Sequence, residues 1–247
     1  MNQVFSFHRY WLLLKLDFAE NGRRNALSFA VIAGLMVIMM SPVVNFRKLG
    51  FDPFVLQIMA YCVATFCTSL FTSLAFEKYA SSTKGINAIL IPASQTEKFL
   101  SILTSNLIFA TLLITLYFTL YQLFTDTLRE NIPLFIFLFA YLFFLVQSVC
   151  LLGSIYFKKA TYIKTASVFF SSLLIYSFIN RSIVRKLTNS DPYISAVPFG
   201  KWNVYTKGIM FSIEYSESTF LLIKIFLVFF VVALWYIAFV RLKEKEI

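Results

Sequence analysis

The sequence predicts an all-α, polytopic membrane protein with six transmembrane helices. Three observations carry this. The 247 residues are 59% hydrophobic with mean hydropathy +0.76. Only 14% are charged, and 30 are Phe, outside the usual range for water-soluble domains. Six stretches approach or exceed the roughly 20 apolar residues that cross a hydrocarbon core of about 30 Å. They read as one transmembrane domain covering 1–247.

The chain opens with an N-terminal interfacial helix over residues 1–25. Phe7, Tyr10, Trp11, Leu14 and Phe18 share one helical face, while Leu12, Leu13 and Leu16 point elsewhere, as expected of a helix held against both lipid and protein. Gly22 suits a C-cap, which would end this helix and leave Arg23 and Arg24 at headgroup level. Asp17 and Glu20 precede the first apolar run and no small-residue cleavage site comes after it, so the first span is expected to stay in the mature protein.

The spans are expected at 26–44, 53–76, 102–124, 133–157, 165–179 and 219–240. The fifth is short. Residues 45–52 and 125–132 are short turns, whereas 77–101 is a longer loop. Within it, "IPASQTEKFLS" has Ser94 and Glu97 in the S-x-x-E spacing of a capping box, so a helix begins at Ser94. Pro92 separates that helix from the chain before it. The longest loop, 180–218, repeats Tyr193, Phe199, Trp202, Tyr205 and Phe211 among Pro192, Pro198, Gly200 and Gly208. Such aromatics suit an extracytoplasmic segment lying in, or dipping re-entrantly into, the outer headgroup layer.

Orientation is set by Lys and Arg. The N-terminus, the second and fourth loops and the C-terminus together carry thirteen: Arg9, Lys15, Arg23, Arg24, Lys78, Lys84, Lys98, Lys158, Lys159, Lys164, Arg241, Lys243 and Lys245. The opposite side carries eight, five of them in 180–218. Both termini are therefore expected in the cytoplasm. The net charge of +10 then reflects topology and attraction to anionic lipid rather than nucleic-acid binding.

Function classes can be excluded from what is missing. His8 is the single histidine and lies outside any span, and neither H-E-x-x-H nor a pair of intramembrane acids is present. Enzyme activity, metals and cofactors are therefore not expected. Lys224 is the one ionisable acid or base within a span, and it lies near enough to the end of the sixth to snorkel. Cys62, Cys67 and Cys150 all fall inside spans and read as free, small hydrophobes. No glycine begins a phosphate-cradling G-x-x-x-x-G-K-[ST] loop, so any ATP-derived energy must come from a partner.

Two uncharged polar stripes remain. Gln57, Tyr61, Thr65, Ser69 and Thr72 adopt helical spacing in the second span, and Thr111, Thr115, Thr119 and Gln122 do so in the third. Both are expected to face the bundle interior, either as packing contacts or as the lining of a path.

The interfacial helix, six spans, capped helix after span two and aromatic outer loop together resemble the permease subunits of type-2 ABC exporters. "LIPASQTEKFLS" is similar to the L-P-A-S-x-x-E-K-F-L pattern of such permease-like proteins of Bacteroidota. The resemblance implies an inner-membrane location, a separate ABC ATPase subunit, and a homodimer or a second permease. It also implies outer-loop helices that close the exit and a coupling helix within 77–101, with Ser94 as its cap and Glu77, Lys78, Glu97 and Lys98 as exposed charges. The alternative is a structural or assembly subunit that transports nothing.

Overall fold

The computed structural model describes residues 5–41, 53–76, 93–124, 132–157, 159–188, 192–193, 202–206, 209–213 and 216–245. Among the described residues, six helices are long and apolar enough to cross a membrane. They are α1 (Phe7–Met40), α2 (Pro53–Ser73), α3 (Gln95–Phe124), α4 (Ile132–Tyr156), α5 (Thr161–Thr188) and α6 (Glu217–Lys245). The chain divides into two compact units, Met1–Tyr162 with Leu234–Ile247, and Ile163–Ala233.

In the first unit α2 packs against α1, α3 and α4, and α1 also packs along α3. Small residues allow the close approach: Ala60 and Ala64 on α2 and Ala110 on α3 are buried between larger neighbours. Around them lie Ile32, Met36 and Met40 of α1, Leu113, Tyr117 and Tyr121 of α3, and Phe143 of α4. The Tyr61 ring meets Tyr117 edge-on at 5.5 Å and Phe139 at 4.6 Å. A second cluster joins Phe76, Phe99, Leu151 and Ile155 to Ala238 and Leu242 near the end of α6.

The N-terminal segment differs from the sequence expectation. Gly22 does not cap a separate interfacial helix. α1 runs unbroken for 34 residues, about 51 Å at 1.5 Å per residue. Glycine in a helix interior costs only about 1 kcal/mol relative to alanine. Bonds from Tyr10 to Thr104 and from Ser105 to Asp17 fix α1 to α3 before that glycine, and Ile32, Met36 and Met40 pack into the core after it. The charged half of α1 therefore continues the same rod as its apolar half.

α5 is also longer than expected, at 28 residues. Arg181, Arg185 and Lys186, assigned above to the outer loop, sit on its final turns, where the negative end of the helix dipole favours cations. The link from α4 to α5 passes through Ala160 at φ 51°, a left-handed conformation costly for a residue with a Cβ.

Between α5 and α6 the described residues form strands rather than the outer-loop helices the resemblance implies. β1 (Pro192–Tyr193), β2 (Trp202–Thr206) and β3 (Ile209–Ile213) make an antiparallel meander in the order β1-β2-β3. Trp202 pairs with Ile213 and Thr206 with Ile209. The β-branched and aromatic residues of this segment favour strands, and the two-residue connection between Thr206 and Ile209 suits a hairpin.

Candidate functional site

The opening of α3 is built by its own sequence. Ser94 is the N-cap, and Lys98 N–H donates to its carbonyl at 3.0 Å. Glu97 N–H reaches Ser94 Oγ at 3.3 Å, and Ser94 N–H donates to Glu97 Oε2 at 2.8 Å. This is the reciprocal capping box expected from the spacing. The cap opens directly onto the first turn of the third membrane helix, which continues to Phe124.

Glu97 also joins a second helix. Its Oε1 accepts the backbone N–H of Ser6 at 2.6 Å and lies 3.2 Å from an Arg9 guanidinium nitrogen. Ser6 is the N-cap of α1, and its own side chain makes no capping bond. One carboxylate thus stands at the N-termini of two helices and beside an arginine, where both helix dipoles favour negative charge. The Glu97 side chain is 0% exposed.

Glu97 lies in the first turn of α3. The Ser6 and Ser94 N–H groups and the Arg9 guanidinium stand around its buried carboxylate in place of water. Along the same seam Tyr10 Oη donates to Thr104 Oγ1 at 2.9 Å. Asp17 accepts from Ser105 Oγ at 2.7 Å and from Asn21 at 2.8 Å.

The residues expected to form an exposed coupling surface therefore divide. Ser94 caps a helix, as its spacing indicates. Glu97 and Lys98 are not exposed: both are buried, Glu97 because its charge is neutralised by helix termini and Arg9 rather than by water. Glu77 and Lys78 lie outside the described residues.

The second-span stripe faces inward. Gln57, Tyr61, Ser69 and Thr72 are buried and Thr65 is half-buried. Tyr61 Oη donates to the Phe139 carbonyl of α4 at 2.8 Å, and Ser69 lies 3.3 Å from Tyr162 Oη. The strongest link involves Gln147 of α4, whose amide nitrogen donates to Thr68 Oγ1 at 2.6 Å while its oxygen accepts from Thr72 Oγ1 at 2.5 Å. Neither Gln147 nor Thr68 is in the expected set. Gln147 carried a signal, because it is the single amide side chain in residues 133–157 and such a group needs a partner in an apolar span.

The third-span stripe does not face inward. Thr111, Thr115, Thr119 and Gln122 are exposed. The three threonine hydroxyls donate to carbonyls of their own helix, at Leu107, Thr111 and Leu116, within 2.8 Å. A hydroxyl satisfied by its own backbone can face outward without an interhelical partner, and the inward face of α3 is taken by Ala110, Leu113 and Tyr117.

Comparison with known proteins adds no relative. No protein-family model, curated protein or solved structure matches this chain.

The Lys224 Nζ lies 4.6 Å from the Phe220 ring, one turn nearer the start of α6. Cys62, Cys67 and Cys150 are free thiols, exposed, half-buried and buried respectively.

Proposed function

We propose that this chain is the membrane-spanning permease subunit of an ATP-driven exporter in the inner membrane, powered by a separate ATPase. It would act as a homodimer or with a second permease. The observation that carries the reading is the Glu97 junction. A partner pressing on the loop after α2 would act at the fixed end of α3, and Glu97 binds that end to α1 through Ser6 and Arg9. Movement of the loop is thereby delivered to two spans as one body, as alternating access between paired bundles requires. Glu97 is then a positioning residue, and the docking contacts fall to the loop residues before it, Glu77 and Lys78 included.

The test is purification of the tagged chain from its native membrane in mild detergent, with co-purifying proteins identified by mass spectrometry. A near-stoichiometric protein carrying a phosphate-cradling G-x-x-x-x-G-K-[ST] loop is expected. Charge reversal at Glu77 and Lys78 should release it, while Glu97→Gln should retain it yet lose ATP-dependent export. Stable partners without an ATPase, across several detergents, would overturn the proposal in favour of a structural or assembly subunit.

A further inference from the structure

We infer that the first unit holds a binding cleft for one phospholipid with a primary ammonium headgroup. This goes beyond the exporter reading and does not depend on the chain exporting anything. α1, α2 and α3 enclose an open-sided cavity of about 830 Å³, within the range of ligand pockets at roughly 300–1,000 Å³. It runs along α1 from Leu13 to Ile32, about 28 Å at 1.5 Å per residue, so it is elongated along the bilayer normal.

The lining changes along that length. In the N-terminal half of α1, after Leu13 and Leu16, stand Asp17, Glu20 and Arg24. Deeper come Leu27, Val31 and Ile32, faced by Phe71 of α2 and Phe109 of α3. Charged residues at one end and hydrocarbon at the other describe an amphiphile, not a soluble solute.

At the boundary between the two zones are Asn25 and Asn106, and each has a buried Oδ1 with no hydrogen-bond partner. Asn106 is nine-tenths buried. The orientation of its amide is fixed, because Nδ2 donates to the Ile102 carbonyl at 2.9 Å, leaving oxygen as the orphan. Two orphan acceptors at the wall of a cavity call for a ligand that donates.

These groups select a headgroup. The orphan acceptors favour N–H or O–H donors and Arg24 favours a phosphate, while Asp17, already engaged by Ser105 and Asn21, contributes with Glu20 a negative field that favours a cation over an anion. Phosphatidylethanolamine supplies all three on one molecule. Phosphatidylcholine has no donor on its ammonium, and phosphatidylglycerol brings a net negative charge toward Asp17 and Glu20. The lipid belongs to the leaflet that holds the N-terminal ends of α1 and α3.

The experiment uses the full chain in mild detergent mixed with phosphatidylethanolamine, phosphatidylcholine or phosphatidylglycerol at matched mole fractions, read by native mass spectrometry and thermal melting. One retained phosphatidylethanolamine per chain is expected, with roughly tenfold preference over phosphatidylcholine, the effect of one hydrogen bond to a buried acceptor, and a preference over phosphatidylglycerol set by charge. Asn106→Leu should fold at least as well without lipid, since it removes an orphan acceptor, and should lose the preference over phosphatidylcholine. Val31→Trp, at the apolar end, should lower retention of all three lipids. Equal retention of the three lipids, an undiminished preference in Asn106→Leu, or undiminished retention in Val31→Trp would overturn the inference. So would a dimer of the chain that excludes lipid from the cleft.

Discussion

Arg9 and Glu97, 88 positions apart in sequence, meet at 3.2 Å where the first and third membrane helices begin. The pair is asymmetric: the Arg9 side chain is 36% exposed and that of Glu97 is 0%. Removing the two partners should therefore have unequal costs. Glu97→Ala strands two backbone N–H groups and removes the carboxylate beside Arg9, and should destabilise the chain by about 2–3 kcal/mol. Arg9→Ala should cost about 1 kcal/mol or less, since water screens its exposed part. Thermal melting in detergent checks the order, and equal losses would refute it.

Thr72 and Gln147 should be coupled energetically. Their bond is buried between α2 and α4, and interhelical hydrogen bonds in membrane proteins average about 0.6 kcal/mol and reach about 1.7. A double-mutant cycle with Thr72→Ala and Gln147→Ala should give a coupling at the upper end, because Gln147 also engages Thr68. Additive losses would count against the network.

Gly22 should be improvable. It lies inside α1 and a Cβ built there meets nothing within 4 Å. Gly22→Ala should raise stability by up to about 1 kcal/mol, read as a higher melting temperature. A loss would mean that α1 needs to bend there.

Thr115→Val examines the outward stripe. With its hydroxyl bonded to Thr111 O and its side chain exposed, the change should stay within about 0.5 kcal/mol and leave the oligomeric state unaltered. A changed oligomeric state by native mass spectrometry would show that the stripe is an interface between copies.

Local signals in the sequence were enough for the six apolar helices, the cap at Ser94, the inward stripe from Gln57 to Thr72 and the free cysteines. Each depends on residues within one or two turns of one another, so periodicity and spacing expose it. Other features were decided by tertiary contacts. Gly22 read as a helix end because its own neighbours permit one, whereas α1 is held against its neighbours on both sides of it, by Tyr10 and Asp17 before and by Ile32, Met36 and Met40 after. The two threonine-bearing stripes look alike in sequence, yet packing of Ala60 and Ala64 against α3 turned one inward, while small and aromatic residues took the inward face of the other. Glu97 read as exposed because a carboxylate usually seeks water. It is buried because an arginine and a helix terminus from 88 and 91 residues away replace that water, an exchange that no local pattern records.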